Sequence, residues 1–496
     1  MANNKFQELK DKLTRIADIN YATAVLHWDK ETYMPEKGMA NRSRQLSTLS
    51  EIAHKLFTEK STGKLLNELQ SASLDETDLI NILRTAEDYE KMVKLPGSFV
   101  AKSSELSSLA FQAWIEARKM NDFKLYEKDL DNLISHKRKE ADLLGFKNHP
   151  YDALLDLYEP ACTVGFLDNL FQDVKTQLVP LVAALRSKNQ VDRSFLYLNY
   201  PKDKQWEFGL SILKTMGYDF QAGRQDISEH PFTINFGSTD VRVTTRVDEN
   251  DFGNMTWSCI HEGGHALYEQ GLLAEQYGLP CGSAASLAMH ESQSRLWENM
   301  VGRGSSFWQY FYPQLKKAFQ NNLQSIDNQH FYKSINHIAP NTIRTEADEL
   351  HYHFHVMIRY EIEKSIMEGT LKTSELKDYW NAKYMEYLNI EVPSDKEGIL
   401  QDIHWSHGSI GYFPTYSLGS FYAAQFFEKA LKDIPNLNVQ ISKGDCSQLL
   451  KWLRENIHQH GRKYLPEELC TKVTGQKLSL EPFMEYIRNK YADICV

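Results

Sequence analysis

An apolar repeat of three and four residues recurs along most of this chain, and it constrains the fold more than any other feature. In SSELSSLAFQAWIEARKM, residues 103–120, the positions Leu106, Leu109, Ala110, Ala113, Trp114 and Ala117 follow at intervals of three, one, three, one and three. That is one stripe on one α-helix. The same period predicts helices over 5–20, 40–57, 77–94, 125–145, 165–187, 204–216, 346–368, 373–387, 446–459 and 480–492, with stops such as Leu95-Pro96-Gly97 between them. Helices with one apolar face bury it against one another, so a mainly α fold with a large helical body is expected.

One stretch has a different texture. In HPFTINFGSTDVRVTTRVDENDFG, residues 230–253, β-branched residues alternate with polar ones around GSTD, which predicts a small β-hairpin or sheet. With no internal repeat, low-complexity tract or linker, a single domain over residues 1–496 is the simplest organisation.

Directly after that stretch comes HEGGHALYEQ, residues 261–270. On a helix, His261 and His265 share one face and can aim ring nitrogens at one metal ion, while Glu262 lies about 100° round and reaches a water on that ion. The zinc helix pair is expected within residues 251–302, because a catalytic zinc takes three protein ligands. Glu291, on a second helical pattern at 286–300, is the candidate third ligand, brought back by a loop with Gly271, Gly278, Pro280 and Gly282. The competing reading pairs Glu291 with Arg295 at i+4 on a solvated face. The Gly263-Gly264 spacer costs roughly 1 kcal/mol per residue against alanine, so it predicts close approach of the returning helix or of substrate. Glu298 and Glu269 are both near enough in sequence to orient the histidines, and His290 points elsewhere, into a supporting layer or the core.

Composition narrows the partners. The chain is 42% apolar and 25% charged with net charge −10, which disfavours nucleic acid and anionic membranes. Six scattered cysteines without a CxxC pair fit reduced thiols in a cytoplasmic protein. The N-terminus reads as an amphipathic helix and not a signal peptide. The uncharged run Ile403–Phe427 is broken by glycines and Pro414, so it reads as packed or substrate-facing and not as a membrane span.

Six separated motifs stand in order: HPF at 230–232, DVRVT at 240–244, HEGGH, HESQ at 290–293, IRTEAD at 343–348 and GILQDIHW at 398–405. With these, and with HWDKETYMPEKGMANRSRQL at 27–46 and GYFPTYSLG at 411–419, the chain resembles the carboxypeptidase Taq family of zinc metallocarboxypeptidases over most of its length. The resemblance implies a gluzincin-like helical fold with a deep substrate groove. It implies one Zn2+ per chain, with Co2+ or Mn2+ as substitutes, a homodimer, and release of single residues from peptides with a free C-terminus. It matches His261, His265 and Glu291 to the zinc ligands and Glu262 to the general base.

A terminal carboxylate calls for a guanidinium fork. Arg344 is the first candidate, against a structural pairing with Asp348 or Glu346, and Arg242 is the second, against a role in shaping the groove. For the oxyanion donor, the groove segment at 398–420 offers His404, Tyr412 and Tyr416, with Tyr416 and His404 favoured. Two other functions compete: an endopeptidase or dipeptidyl carboxypeptidase on the same metal site, and a silent relative that binds peptides.

Overall fold

A computed structural model describes residues 2–186 and 191–495. Helices dominate, as the period predicts. The stretch expected at 40–57 is the helix Met39–Thr58, that at 125–145 is Lys124–Leu144, and that at 480–492 is Glu481–Ile494. Residue 187 of the expected 165–187 helix lies outside the described residues, and the rest forms Val164–Arg186. No described helix is long and apolar enough to cross a membrane.

Several elements depart from expectation for identifiable reasons. The N-terminal helix runs on from the expected 5–20 to Thr32, through a stretch without glycine or proline that ends short of Pro35. The stripe at 103–120 lies on Gly97–Met120, where Ala110 and Ala117 are fully buried but Leu109 is 45% exposed, so the packed seam is narrower than the repeat. The uncharged run at 403–427 turns helical at Pro414, in a helix that continues to Asp433, with proline at the position where its missing N–H costs nothing. The helix expected from 346 starts at His351, because Arg344–Glu346 form a separate 3-10 turn.

The chain divides into two compact units. The first comprises Met1–Met92, Asp192–Ile335 and Tyr422–Leu478. One of its cores gathers Phe6, Leu9, Leu13 and Ile16 with Ala53, Leu65, Leu66, Leu69, Ile82, Ala86 and Leu279. Leu279 comes from the loop after the HEGGH helix, so the N-terminal helices hold that loop. Asn81 ties the same loop down, donating to Gln276 Oε1 at 2.9 Å and accepting from the Cys281 amide at 2.9 Å. At Gly278, φ is +75° and an added Cβ would stand 3.1 Å from Thr14 Cα, so glycine answers both the turn and the contact.

The hairpin expected at 230–253 is present and gains a third strand. β2 (Thr233–Asn235) pairs antiparallel with β3 (Val241–Thr245), and β1 (Gln225–Ile227) joins β3 in parallel from the other side. Three residues are too few to show a period, which is why β1 escapes sequence reading. Each strand sends one side chain to the HEGGH helix, Phe252–Glu269. Gln225 Nε2 donates to Cys259 Sγ at 3.2 Å, Thr245 Oγ1 bonds Ser258 Oγ at 2.5 Å, and Thr233 Oγ1 reaches Glu262 Oε2 at 2.6 Å.

The second unit comprises Val93–Val191, Asn336–Phe421 and Ser479–Val496. Its helix His351–Glu368 is buried on nearly every side, including Arg359 and Glu363 at 0% exposure. A buried ion pair, Lys490 Nζ to Glu349 Oε1 at 2.5 Å, fastens its last helix.

Candidate metal centre

The HEGGH helix starts on Asp251, whose side chain accepts from the Gly253 amide at 2.8 Å. Its two glycines are packed against neighbours. A Cβ on Gly264 would lie 2.7 Å from Gln293 O and 2.7 Å from Ser294 Cα, both backbone atoms of the returning helix Leu287–Arg295. A Cβ on Gly263 would meet Leu213 Cδ2 at 2.6 Å and Met216 Cε at 3.1 Å, on the helix Lys202–Met216. The returning helix explains one glycine, and a helix that spacing did not point to explains the other.

That close approach delivers Glu291 to the histidines. Its Oε2 is 3.7 Å from His261 Nε2 and 3.4 Å from His265 Nε2, and one ligating atom from each of the three residues lies within 4.8 Å of the others. The competing pairing with Arg295 is also present: Arg295 Nε donates to Oε1 at 2.7 Å. It is not on a solvated face, since Glu291 is 6% exposed, and it uses the oxygen turned away from the histidines.

The remaining ring nitrogens have their own partners. His261 Nδ1 is 2.8 Å from Glu298 Oε2, and Glu298 sits in a π-helical turn, Leu296–Gly302, that directly continues the returning helix. His265 Nδ1 is 3.0 Å from the carbonyl of His290. His290 stacks on His265 at 4.5 Å, and its Nε2 is 2.8 Å from Glu269 Oε1. Glu298 therefore orients His261 directly, whereas Glu269 acts on His265 through His290. With Nδ1 of each ligand histidine taken by these partners, Nε2 is the nitrogen that faces Glu291 and is left to ligate.

Electrostatics follow from burial and these contacts. Burial lowers the His261 pKa, but Glu291 and Glu298 outweigh it and hold it at about 9. Burial and the neighbouring His290 charge bring His265 down to about 3. Burial works against ionised Glu291 and Glu298, yet Arg295 and His261 keep Glu291 well below the usual range and bring Glu298 down to about 2. Glu262 is raised, chiefly by burial and further by Glu291. A dense set of N and O donors with a net carboxylate excess suits a divalent cation.

The second unit gathers another group of expected residues. Arg344, 5% exposed, pairs with neither Asp348 nor Glu346. Its Nε and Nη2 donate to Asp402 Oδ1 at 3.0 and 2.8 Å, and its Nη1 donates to Tyr352 OH at 2.8 Å. Asp402 Oδ2 accepts from Arg359 Nε at 2.7 Å, so one carboxylate bridges two buried guanidiniums. His404 Nε2 is 3.1 Å from Tyr416 OH, and the Tyr412 ring lies 5.3 Å from each of them. Burial and the Arg344 charge keep His404 neutral, at about 3. Arg242 stands apart in the first unit, on β3, paired with Asp240 at 2.8 Å and stacked between Trp28 at 4.5 Å and Phe236 at 4.8 Å.

Thr233 and the Asp402 bridge were not singled out from sequence, and Arg295 was named only as a competing partner of Glu291. Thr233 follows the HPF motif directly, which was the available signal.

A largely helical chain with two histidines and a glutamate converging from paired helices falls among the metallopeptidases. It belongs to the carboxypeptidase Taq (M32) metallopeptidase family, whose model matches residues 8–491. It is accordingly a metal-dependent peptide hydrolase, a carboxypeptidase. It is 38% identical to Carboxypeptidase 1 of Bacillus subtilis over 98% of each chain. The M32 carboxypeptidase structure from Deinococcus radiodurans R1 superimposes with a TM-score of 0.97 at 35% identity over 99% of each chain. A structure described as "The Structure of CHT" matches at 55% identity and TM-score 0.97 over 98% of this chain and 99% of that one.

Proposed function

We propose that His261, His265 and Glu291 hold zinc, that Glu262 is the general base, and that the chain removes single residues from free peptide C-termini with broad specificity. The convergence of three ligating atoms within 4.8 Å, beside a buried glutamate whose pKa is raised, carries this reading. When bound there, the metal supplies Lewis acidity, polarising the scissile carbonyl and acidifying the attacking water. Glu298 and the His290 carbonyl fix the histidine tautomers. Glu262 takes a proton from the water and returns it to the leaving amine.

Arg344 is the proposed anchor for the substrate's terminal carboxylate. Its contacts to Asp402 and Tyr352 leave one hydrogen on each terminal nitrogen, enough for a bidentate pair. Arg242 is the second cation assigned to the substrate. Tyr416 and neutral His404, with Tyr412 against them, are the proposed oxyanion donors. Zinc in preference to cobalt or manganese, one working domain, a homodimer and a cytoplasmic location complete the reading. They rest on the resemblance and on the reduced cysteines.

The test is a metal-replete digest of one peptide and its C-terminally amidated twin, followed by mass spectrometry. A ladder losing one residue at a time from the free acid alone is expected. Equal cleavage of both would remove carboxylate anchoring, and release of dipeptides would replace the reading with a dipeptidyl carboxypeptidase.

A further inference from the structure

Glu262 is 7% exposed, and its two carboxylate oxygens have different surroundings. Oε2 accepts from Thr233 Oγ1 at 2.6 Å, the length of a charge-assisted O–H···O bond. Oε1 has no hydrogen-bond partner among the described residues. The same Thr233 hydroxyl is 2.9 Å from the backbone carbonyl of Glu262. It carries one hydrogen and can give it to either oxygen.

The placement of that hydroxyl is built into the sheet. Thr233 sits opposite Val243 in the β2–β3 register, and Phe232 before it is clamped on both sides. The Thr244 amide donates to Phe232 O at 2.9 Å, and Thr244 Oγ1 accepts from the Phe232 amide at 2.9 Å. Gln225 and Thr245, from the other strands, bond Cys259 and Ser258 one turn earlier on the HEGGH helix. Strand and helix therefore cannot slide past each other without breaking all three attachments.

We propose that Thr233 is a positioning residue for the reaction: it holds Oε2 of Glu262 and so reserves Oε1 as the atom that takes the proton from water. This rests on Glu262 being the general base. In the step itself, an O–H bond of water breaks and an O–H bond forms at Oε1. The charge on Oε2 falls, and the Thr233 hydrogen has the Glu262 carbonyl within reach as an alternative acceptor. The side chain thus keeps a hydrogen bond before and after proton transfer without moving, which spares the reaction a reorganisation.

The experiment compares kcat, KM and bound metal for the wild type, Thr233→Val, Thr233→Ser and Glu262→Gln, all metal-replete. Valine keeps the shape and suits a strand, but removes the hydroxyl. Thr233→Val is expected to lower kcat about tenfold or more, with KM and bound metal within twofold of wild type, and Thr233→Ser to restore most of kcat. If Thr233→Val does not fold, Thr233→Ala against Thr233→Ser makes the same comparison. Wild-type kcat in the hydroxyl-free variant while Glu262→Gln is inactive overturns the role of Thr233 and leaves the base intact. So does a loss confined to KM or bound metal. Full activity of Glu262→Gln removes the base assignment and this proposal with it.

Discussion

Glu298 Oε2 lies 2.8 Å from His261 Nδ1, and the contact exists because the chain widens into a π-helical turn directly after the helix that carries Glu291. One continuous segment thus supplies both a ligating carboxylate and the carboxylate that orients a ligand histidine. The Glu298 charge is held by Arg295 Nη1 at 3.1 Å and Arg303 Nη2 at 3.6 Å. Replacing it by Glu298→Gln keeps an acceptor and removes the charge behind the imidazole. Metal affinity is expected to fall about 10- to 100-fold, measured by competition with a chelator of known affinity. Unchanged affinity would show that the contact only packs.

The two glycines of the motif should respond differently to alanine. At Gly264 the added methyl meets backbone at 2.7 Å, which a helix can relieve only by moving, so Gly264→Ala is expected to destabilise by about 1–3 kcal/mol despite its better helix propensity. At Gly263 the nearest atoms are side-chain ends of Leu213 and Met216, which can rotate away, so Gly263→Ala should cost less. Denaturant midpoints of the two variants decide the order.

Asp402 is the shared counter-charge of two guanidiniums, Arg344 and Arg359, the second at 0% exposure. Asp402→Asn leaves both cations without it in a buried setting. A loss of about 3–5 kcal/mol is expected by chemical denaturation. A loss under 1 kcal/mol would mean that solvent screens the pair far more than its burial suggests.

Glu363 provides a pH-dependent term in stability. Burial raises its pKa to about 7, although Tyr151 OH, Trp405 Nε1 at 2.7 Å and the Gly411 amide at 2.8 Å all bond its carboxylate. The folded state therefore binds the proton more tightly than the unfolded chain, whose glutamate titrates near 4.5. The resulting stabilisation is complete below that value and is lost as pH rises through 7, an amount of up to about 3 kcal/mol. Glu363→Gln cannot titrate, so the stability difference between variant and wild type should shift in favour of the variant between pH 5 and 8. A difference that stays constant with pH would contradict the assignment.

Much of the candidate centre is legible in the residues because its spacing lies within single helices. His261 and His265 share a face through the i, i+4 relation alone, and the glycines between them announce close packing. Glu291 was reachable only as a candidate, since residues 270–286 connect its helix to that of His265 and loop length does not specify where a helix lands. The loop is placed by Leu279 and Asn81 against the N-terminal helices, contacts that span 200 residues of chain at Asn81 and more at Leu279. Thr233, the Asp402 bridge and the choice of Glu298 for His261 are also contacts between distant segments, and none has a local period to betray it.

The sequence by itself determined a mainly helical fold, the position of the short sheet, and the helix that presents two histidines and a glutamate, because those depend on repeats of 3.6 and 2 residues. Only the tertiary structure decided which helices press on Gly263 and Gly264, which oxygen of Glu262 is held, and which two cations share Asp402. Those outcomes depend on how side chains far apart in the chain fill one close-packed interior, where a shift of an ångström exchanges one partner for another.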